Sequence, residues 1–212
     1  GADRNMIIAT LLYQICSDDY FSLEDVKAEF GDDVRSIIHG LKNVADLYKK
    51  QTTQRDENFS KLMMAFAENI RVIIIMIVDR LALMKAINHH PNQKFVFDIA
   101  SESLYLYAPL AHRLGLYKIK SELEDMSLKY TNRDLYTQIA HKLNESKQER
   151  DKYIAEFIAP IKKKLEDDGF KFEIKGRTKS IYSIWNKMRK QNAELKDIYD
   201  LFAIRIIIDT PL

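Results

Sequence analysis

The sequence is poor in residues that break or cross-link a chain: 6 glycines, 4 prolines and a single cysteine, Cys16, among 212 residues. So few glycines and prolines leave little room for disorder or for an all-β fold built on tight turns, and helix is the expected majority. One thiol excludes an internal disulfide framework and any zinc site built on several cysteines, which favours a reducing, cytoplasmic setting. Long hydrophobic runs are lacking too. The longest, Val72–Val78, falls well short of the roughly 18 apolar residues of a membrane span, so no membrane partner is expected. The N-terminus has no basic segment followed by an apolar stretch and a cleavage site, which argues against a signal peptide. Nor is one sign of charge in excess: 33 Lys and Arg stand against 31 Asp and Glu, a net charge of +2. That balance disfavours indiscriminate nucleic-acid binding, and no direct DNA contact is expected.

What is present reads mostly as helix. Met6, Ile7, Leu11 and Leu12 fall at helical spacing. Ser22 followed by Asp25 announces a second helix that Gly31 stops, and Val34 to Tyr48 repeat at three and four. Lys49 to Asn58 reads as a loop, and Phe59 to Asn88 as helix. Within it the run from Val72 suits a buried strand or a buried helix; its flanks continue a helical period without turn residues, which favours the helix. Beyond Pro91 a periodic stretch reaches Leu114, bent at Pro109 and closed by Gly115. Helices over Tyr117–Tyr130 and Asp134–Glu166 follow, the second interrupted at Pro160. Near Gly169 the pattern changes: Phe172 and Ile174 alternate with Glu173 and Lys175, a half-buried strand that Gly176 ends. Ser180 to Gln191 resumes helical spacing, and Leu201 to Ile208 is a second strand. The expected fold is therefore mainly α with a small α+β part, cut short within its sheet, since two strands cannot complete one alone.

Between Gly169 and Gln191 stand seven basic residues and one acidic residue, a local charge of +6 in a nearly neutral chain. Lys179, Ser183 and Lys187 are spaced by four and share one helix face, with Arg177 ahead of them and Gly176 allowing close approach of the backbone. Unpaired helix N-terminal amides, a forked guanidinium and two ammonium groups suit a polyphosphate. A solvated basic face fits the same spacing, and the glycine spacing of a P-loop is absent. Asp200, at the mouth of the second strand, suits Mg²⁺ bound also to substrate phosphates, or is an ordinary strand-end carboxylate. Arg205 has the opposite strand parity and needs a partner if buried. The five histidines show no metal-ligand spacing. Cys16 and tyrosines such as Tyr105 and Tyr107 read as core, while Tyr182 and Trp185 border the basic face and could contact a base.

Several blocks resemble the RelA/SpoT family of long alarmone enzymes, which join an HD-type hydrolase domain to a pyrophosphokinase domain. They include Arg71-Val72-Ile73, Asp79-Arg80-Leu81, Tyr107-Ala108-Pro109-Leu110-Ala111-His112-Arg113, Glu122-Leu123-Glu124-Asp125, Gly176-Arg177-Thr178-Lys179-Ser180 and Tyr199-Asp200-Leu201. The resemblance implies a hydrolase domain over residues 1–130, connecting helices over 131–168 and the first part of a synthetase domain over 169–212. It also implies departures. Tyr13-Gln14 and Ser17-Asp18 stand where the family's hydrolase carries His-Asp and Glu-Asp, and Ala82-Leu83 replace His-Asn beside Asp79-Arg80. The remaining carboxylate cannot hold a water-activating metal, so the front domain is expected to hold none, to be hydrolytically inactive and to be regulatory. In the back domain Arg177, Lys179 and Lys187 would bind ATP phosphates, Ser183 would support them, and Asp200 would hold Mg²⁺; Arg177, Lys179 and Asp200 would be catalytic. The implied reaction transfers pyrophosphate from ATP to the 3′-hydroxyl of GTP or GDP. The family's second acidic residue and guanine-stacking tyrosine would lie past Leu212, so the piece alone is expected to be inactive, and contact with a ribosome would fall to those later regions. The alternative is a non-catalytic module that senses nucleotides or binds a partner.

Overall fold

The computed structural model describes residues 2–17, 21–49, 69–145, 147–198 and 201–209, the side chains of residues 17, 46–49, 147–150 and 177 excepted. The fold is mainly α with a small two-stranded sheet. The chain divides into two compact units, Gly1–Pro91 with Glu102–Lys120, and Asn92–Ser101 with Ser121–Leu212. Among the described residues no helix is long and apolar enough to cross a membrane.

In the first unit α1 (Arg4–Ser17), α2 (Leu23–Phe30), α3 (Asp32–Lys49) and α4 (Ile70–Ala86) pack together. Ser22 opens α2 as expected: its hydroxyl accepts the Asp25 N–H, the Asp25 carboxylate accepts the Ser22 N–H, each at 3.1 Å, and Gly31 ends the helix at φ 89°. The run from Val72 is a buried helix that packs on α3, with Val72, Ile73, Ile75 and Ile77 inside. Met6 is buried, whereas Ile7 and Leu11, of the same helical spacing, are exposed. The expected loop over Lys49–Asn58 falls outside the described residues except for Lys49, which ends α3, as do residues 59–68 of the helix expected over Phe59–Asn88; the rest of that helix is α4, opened by the N-cap Asn69. Gly40 lets α3 and α4 approach, since a Cβ there would stand 2.7 Å from Val72 Cγ2. Val72 is buried and β-branched, so it has little freedom to yield. Gly40→Ala is therefore expected to destabilise the protein by about 1–2 kcal/mol despite its gain in helix propensity. Urea unfolding measures this, and a stabilised variant would contradict it.

A polar tie joins three helices on the surface of this unit. Asp33 of α3 accepts hydrogen bonds from Arg71 Nη1 of α4 at 2.8 Å and from Asn5 Nδ2 of α1 at 2.6 Å. The Arg71 guanidinium, helped by Asn5, holds the Asp33 carboxyl down at about 2. Because this lies below the unfolded value near 3.9, the tie stabilises the fold above about pH 4. Its contribution is lost as pH falls toward about 2. Both side chains are partly solvated, which limits the contribution to about 1 kcal/mol or less. Asp33→Asn is expected to flatten this acid limb in a stability–pH series; an unchanged limb would contradict the assignment.

Beyond the 3₁₀ turn Ile87–His89 comes α5 (Gln93–Glu102), then a π-helical segment Ser103–Tyr107 and α6 (Ala108–Arg113). The irregularity expected at Pro109 lies just before it: Pro109 sits in the first turn of α6, where proline is tolerated, and the π segment precedes that helix. Gly115 follows α6 at φ 71°. Tyr107 is buried, but Tyr105 is 39% exposed and is not core. Cys16 is buried, and burial pushes its thiol pKa up.

In the second unit α7 (Tyr117–Thr131, from Ser121), α8 (Arg133–Glu145), α9 (Lys147–Asp167), β1 (Phe172–Thr178), α10 (Ile181–Gln191) and β2 (Phe202–Ile208) follow in order. The single helix expected over Asp134–Glu166 is two helices, α8 and α9, and α9 runs through Pro160 rather than breaking there. β1 and β2 pair antiparallel from Phe172↔Ile208 to Thr178↔Phe202. Gly176 does not end the strand; it pairs with Ile204, and a Cβ there would meet Ile154 Cγ2 of α9 at 3.4 Å. Ile139 of α8, Ile184 of α10 and Leu195 form a buried cluster joined by Trp185 and Leu201, which anchors α10 through its middle.

Candidate phosphate-binding site and the cavity of the helical unit

The turn from β1 into α10 collects the expected phosphate-binding residues. The Lys179 N–H donates to the Leu201 carbonyl at 2.9 Å, which pins this turn to the start of β2. Lys179 itself precedes the helix, because Ser180 is the N-cap. Ser183 and Lys187 therefore share a face of α10, whereas Lys179 belongs to the turn ahead of it; all three side chains are half-buried. Arg177 pairs through its backbone with Ala203 in β2, and its side chain is not among those described. Asp200 lies outside the described residues, as does its expected role as a Mg²⁺ ligand.

Two of the first-turn amides, those of Tyr182 and Ser183, are already taken within the protein, contrary to the sequence-based expectation of open amides. The Tyr182 N–H donates to Asp125 Oδ1 of α7 at 2.8 Å, the Ser183 N–H to Ser180 Oγ at 3.3 Å and the Ile184 N–H to the Ser180 carbonyl at 3.1 Å. The Ser180 hydroxyl in turn donates to Ser183 Oγ at 2.7 Å. Anion binding here thus falls to side chains. Tyr182 and Trp185 pack on each other with ring centroids 5.3 Å apart, and the Arg189 guanidinium lies 5.0 Å from the Trp185 ring. Burial, reinforced by Glu124, pushes the Tyr182 phenol pKa up. Arg205 is exposed opposite Lys175, which pairs with Glu173 at 2.8 Å, so burial imposes no partner on it. Asp125 is the residue that sequence reasoning left without a role: a helix-face carboxylate carries no local sign of a partner 57 residues away.

The first unit holds a cavity of about 460 Å³ between α1, α3, α4 and the π segment. Tyr13 and Gln14 of α1 and Asp79 and Arg80 of α4 line it, with Leu41, Ile75 and Tyr107 among the remaining walls. Five of the positions compared with a hydrolase metal site, Tyr13, Gln14, Asp79, Arg80 and Leu83, are therefore gathered at one place. Two of them carry a phenol and an amide, neither of which replaces the imidazole and carboxylate of a divalent metal site. Among the described residues no group of three His, Cys, Asp or Glu side chains could hold a metal; Asp18 is outside them. Arg80 is half-buried beside this cavity. Its Nη2 donates to Glu102 Oε2 at 2.7 Å and to the Tyr107 hydroxyl at 3.1 Å, and its guanidinium stands 4.2 Å from the Tyr107 ring. Burial disfavours its charge, yet Tyr107 and Glu102 hold its pKa above the ordinary value.

With both places described, comparison with known proteins is direct. The HD domain family matches residues 1–117, and the "Region found in RelA / SpoT proteins" matches residues 176–211. The chain is 36% identical over 211 residues to a guanosine-3′,5′-bis(diphosphate) 3′-pyrophosphohydrolase of Aquifex aeolicus (strain VF5), covering 99% of this chain and 30% of that protein. It is 36% identical over 212 residues to a GTP pyrophosphokinase of Myxococcus xanthus, covering 98% of this chain and 28% of that protein. To a GTP pyrophosphokinase of Escherichia coli (strain K12) it is 31% identical over 214 residues, covering 98% and 29%. The chain thus spans under a third of the length of these relatives. The matches, with the two sites they cover, carry one conclusion: this chain belongs to the RelA/SpoT family, with an HD domain ahead of the region for which that family is named.

Proposed function

We propose that the protein to which this chain belongs is a cytoplasmic (p)ppGpp synthetase whose HD domain no longer hydrolyses. The observation that carries the reading is the contrast between the two sites. Tyr13 and Gln14 line the helical cavity where a metal-activated hydrolase needs ligands, while Lys179 stands at the β1–α10 turn with Ser183 and Lys187 following on one face of α10. On this reading Arg177, Lys179 and Lys187 grip the ATP phosphates, and Ser183 supports them. The 3′-hydroxyl oxygen of GDP or GTP bonds to the β-phosphorus. The bond from that phosphorus to the oxygen bridging the α-phosphate breaks, the hydroxyl proton is lost and AMP leaves. Such a transfer needs positioning and a cation clamp more than a protein nucleophile.

The donor set suits Mg²⁺, which binds through one or two carboxylates together with substrate phosphates and water. Asp200 would hold it, and the ion would neutralise charge on the transferred group. The front domain then acts as a regulator of synthesis. Two other readings meet the same test. The Aquifex relative's name favours a hydrolase, and a bare sensing module needs neither the clamp nor Asp200. Incubating the full-length protein with ATP, GDP and Mg²⁺ is expected to yield AMP and guanosine tetraphosphate in equal amounts. Absence of AMP would overturn the synthetase reading and leave the hydrolase and the sensing module.

A further inference from the structure

The carboxylate that meets the first turn of α10 comes from α7. Tyr182 is the second residue of α10, and its N–H reaches Asp125 Oδ1 at 2.8 Å across 57 residues of sequence. A carboxylate at a helix N-terminus gains from both the hydrogen bond and the helix dipole. The N–H groups of Ser183 and Ile184 are taken up by Ser180, and Asp125 is a contact from another helix that holds this end of α10. The middle of α10 is fixed separately, by Ile184 in the cluster with Ile139 and Leu195. Ser183 rides between these anchors and Lys187 follows three residues past Ile184, with Lys179 ahead of the helix, its backbone pinned to Leu201. Small displacements of groups that position phosphates are costly to phosphoryl-group chemistry.

We propose that Asp125 is a positioning residue for nucleotide binding: its carboxylate locks the first turn of α10 so that Lys179, Ser183 and Lys187 meet the ATP phosphates together. This rests on the synthetase reading above. A purely structural anchor would change stability alone, whereas a positioning residue changes how ATP binds.

The test uses the full-length protein and Asp125→Ala, Asp125→Asn and Asp125→Glu. Asparagine keeps an acceptor for the Tyr182 N–H, and glutamate keeps the charge but displaces it by a methylene. Asp125→Ala is expected to raise KM for ATP about tenfold, the size of one charge-assisted hydrogen bond, with a smaller change in kcat. Asp125→Asn is expected to restore most of that loss. The Tyr182 amide, measured by hydrogen exchange without nucleotide, should exchange faster in the alanine variant and at nearly the parent rate in the asparagine variant. If alanine prevents folding, Asp125→Glu decides, with a raised KM expected. An unchanged KM together with unchanged Tyr182 exchange in the folded variants overturns the proposal. A parent protein that makes no AMP overturns the synthetase reading instead, and the Tyr182 exchange then decides whether Asp125 positions α10.

Discussion

Replacing Arg177 with alanine in the full-length protein is expected to lower AMP formation from ATP and GDP by about 10²–10³-fold. In transfer of a pyrophosphoryl group, charge spreads over non-bridging oxygens, and a forked guanidinium meets two of them at once where an ammonium meets one. Arg177 precedes the Lys179 turn by two residues on β1, the strand whose register with β2 is fixed from Phe172 to Thr178. Its backbone is thus held by a ladder on one side and by the Lys179–Leu201 hydrogen bond just beyond. Arg177→Lys keeps the charge and loses the fork, so it should recover only a minor part of the rate. The measurement is steady-state AMP production. Turnover in Arg177→Ala equal to that of the parent would remove Arg177 from the clamp.

The second large effect concerns the fold of the HD domain rather than chemistry. Arg80 and Glu102 have side-chain exposures of 10% and 19%, and their 2.7 Å contact joins α4 to the end of α5. Truncating one member of a buried pair leaves an uncompensated charge, so Glu102→Leu is expected to cost about 3 kcal/mol in urea unfolding. Tyr107 offers Arg80 only a hydroxyl and a ring face, neither of which replaces a carboxylate. The double variant Arg80→Met with Glu102→Leu removes both charges and should recover most of that loss, because matched apolar groups no longer carry the desolvation penalty. Additive losses in the two single variants and the double variant would show that the pair does not act as a unit.

Much of this fold is legible in the sequence because it is local. The capping box at Ser22 and Asp25, the glycine at Gly31 and the apolar period through α3 and α4 depend on neighbours within a few residues, and they fold as the sequence predicts. Other local signals fail. Proline predicts a break at Pro160, yet α9 continues through it. Glycine predicts a strand end at Gly176, yet ladder pairing with β2 carries the strand onward. The basic cluster at the β1–α10 turn is equally visible, since charge and spacing are properties of the sequence. That the Tyr182 amide is already occupied is not, because its acceptor comes from Asp125 on a distant helix. The same holds for Arg80, whose partners Glu102 and Tyr107 lie beyond α4.

One time course tests the contrast between the two sites most directly. Full-length protein is incubated with ATP, GDP, Mg²⁺ and Mn²⁺ in one vessel, and guanosine tetraphosphate, AMP and free pyrophosphate are followed until ATP is spent. The account predicts that tetraphosphate rises with AMP to a plateau and stays there, with no pyrophosphate released. A rise followed by decay into GDP and pyrophosphate would mean that the cavity lined by Tyr13 and Gln14 still hydrolyses, and would contradict it.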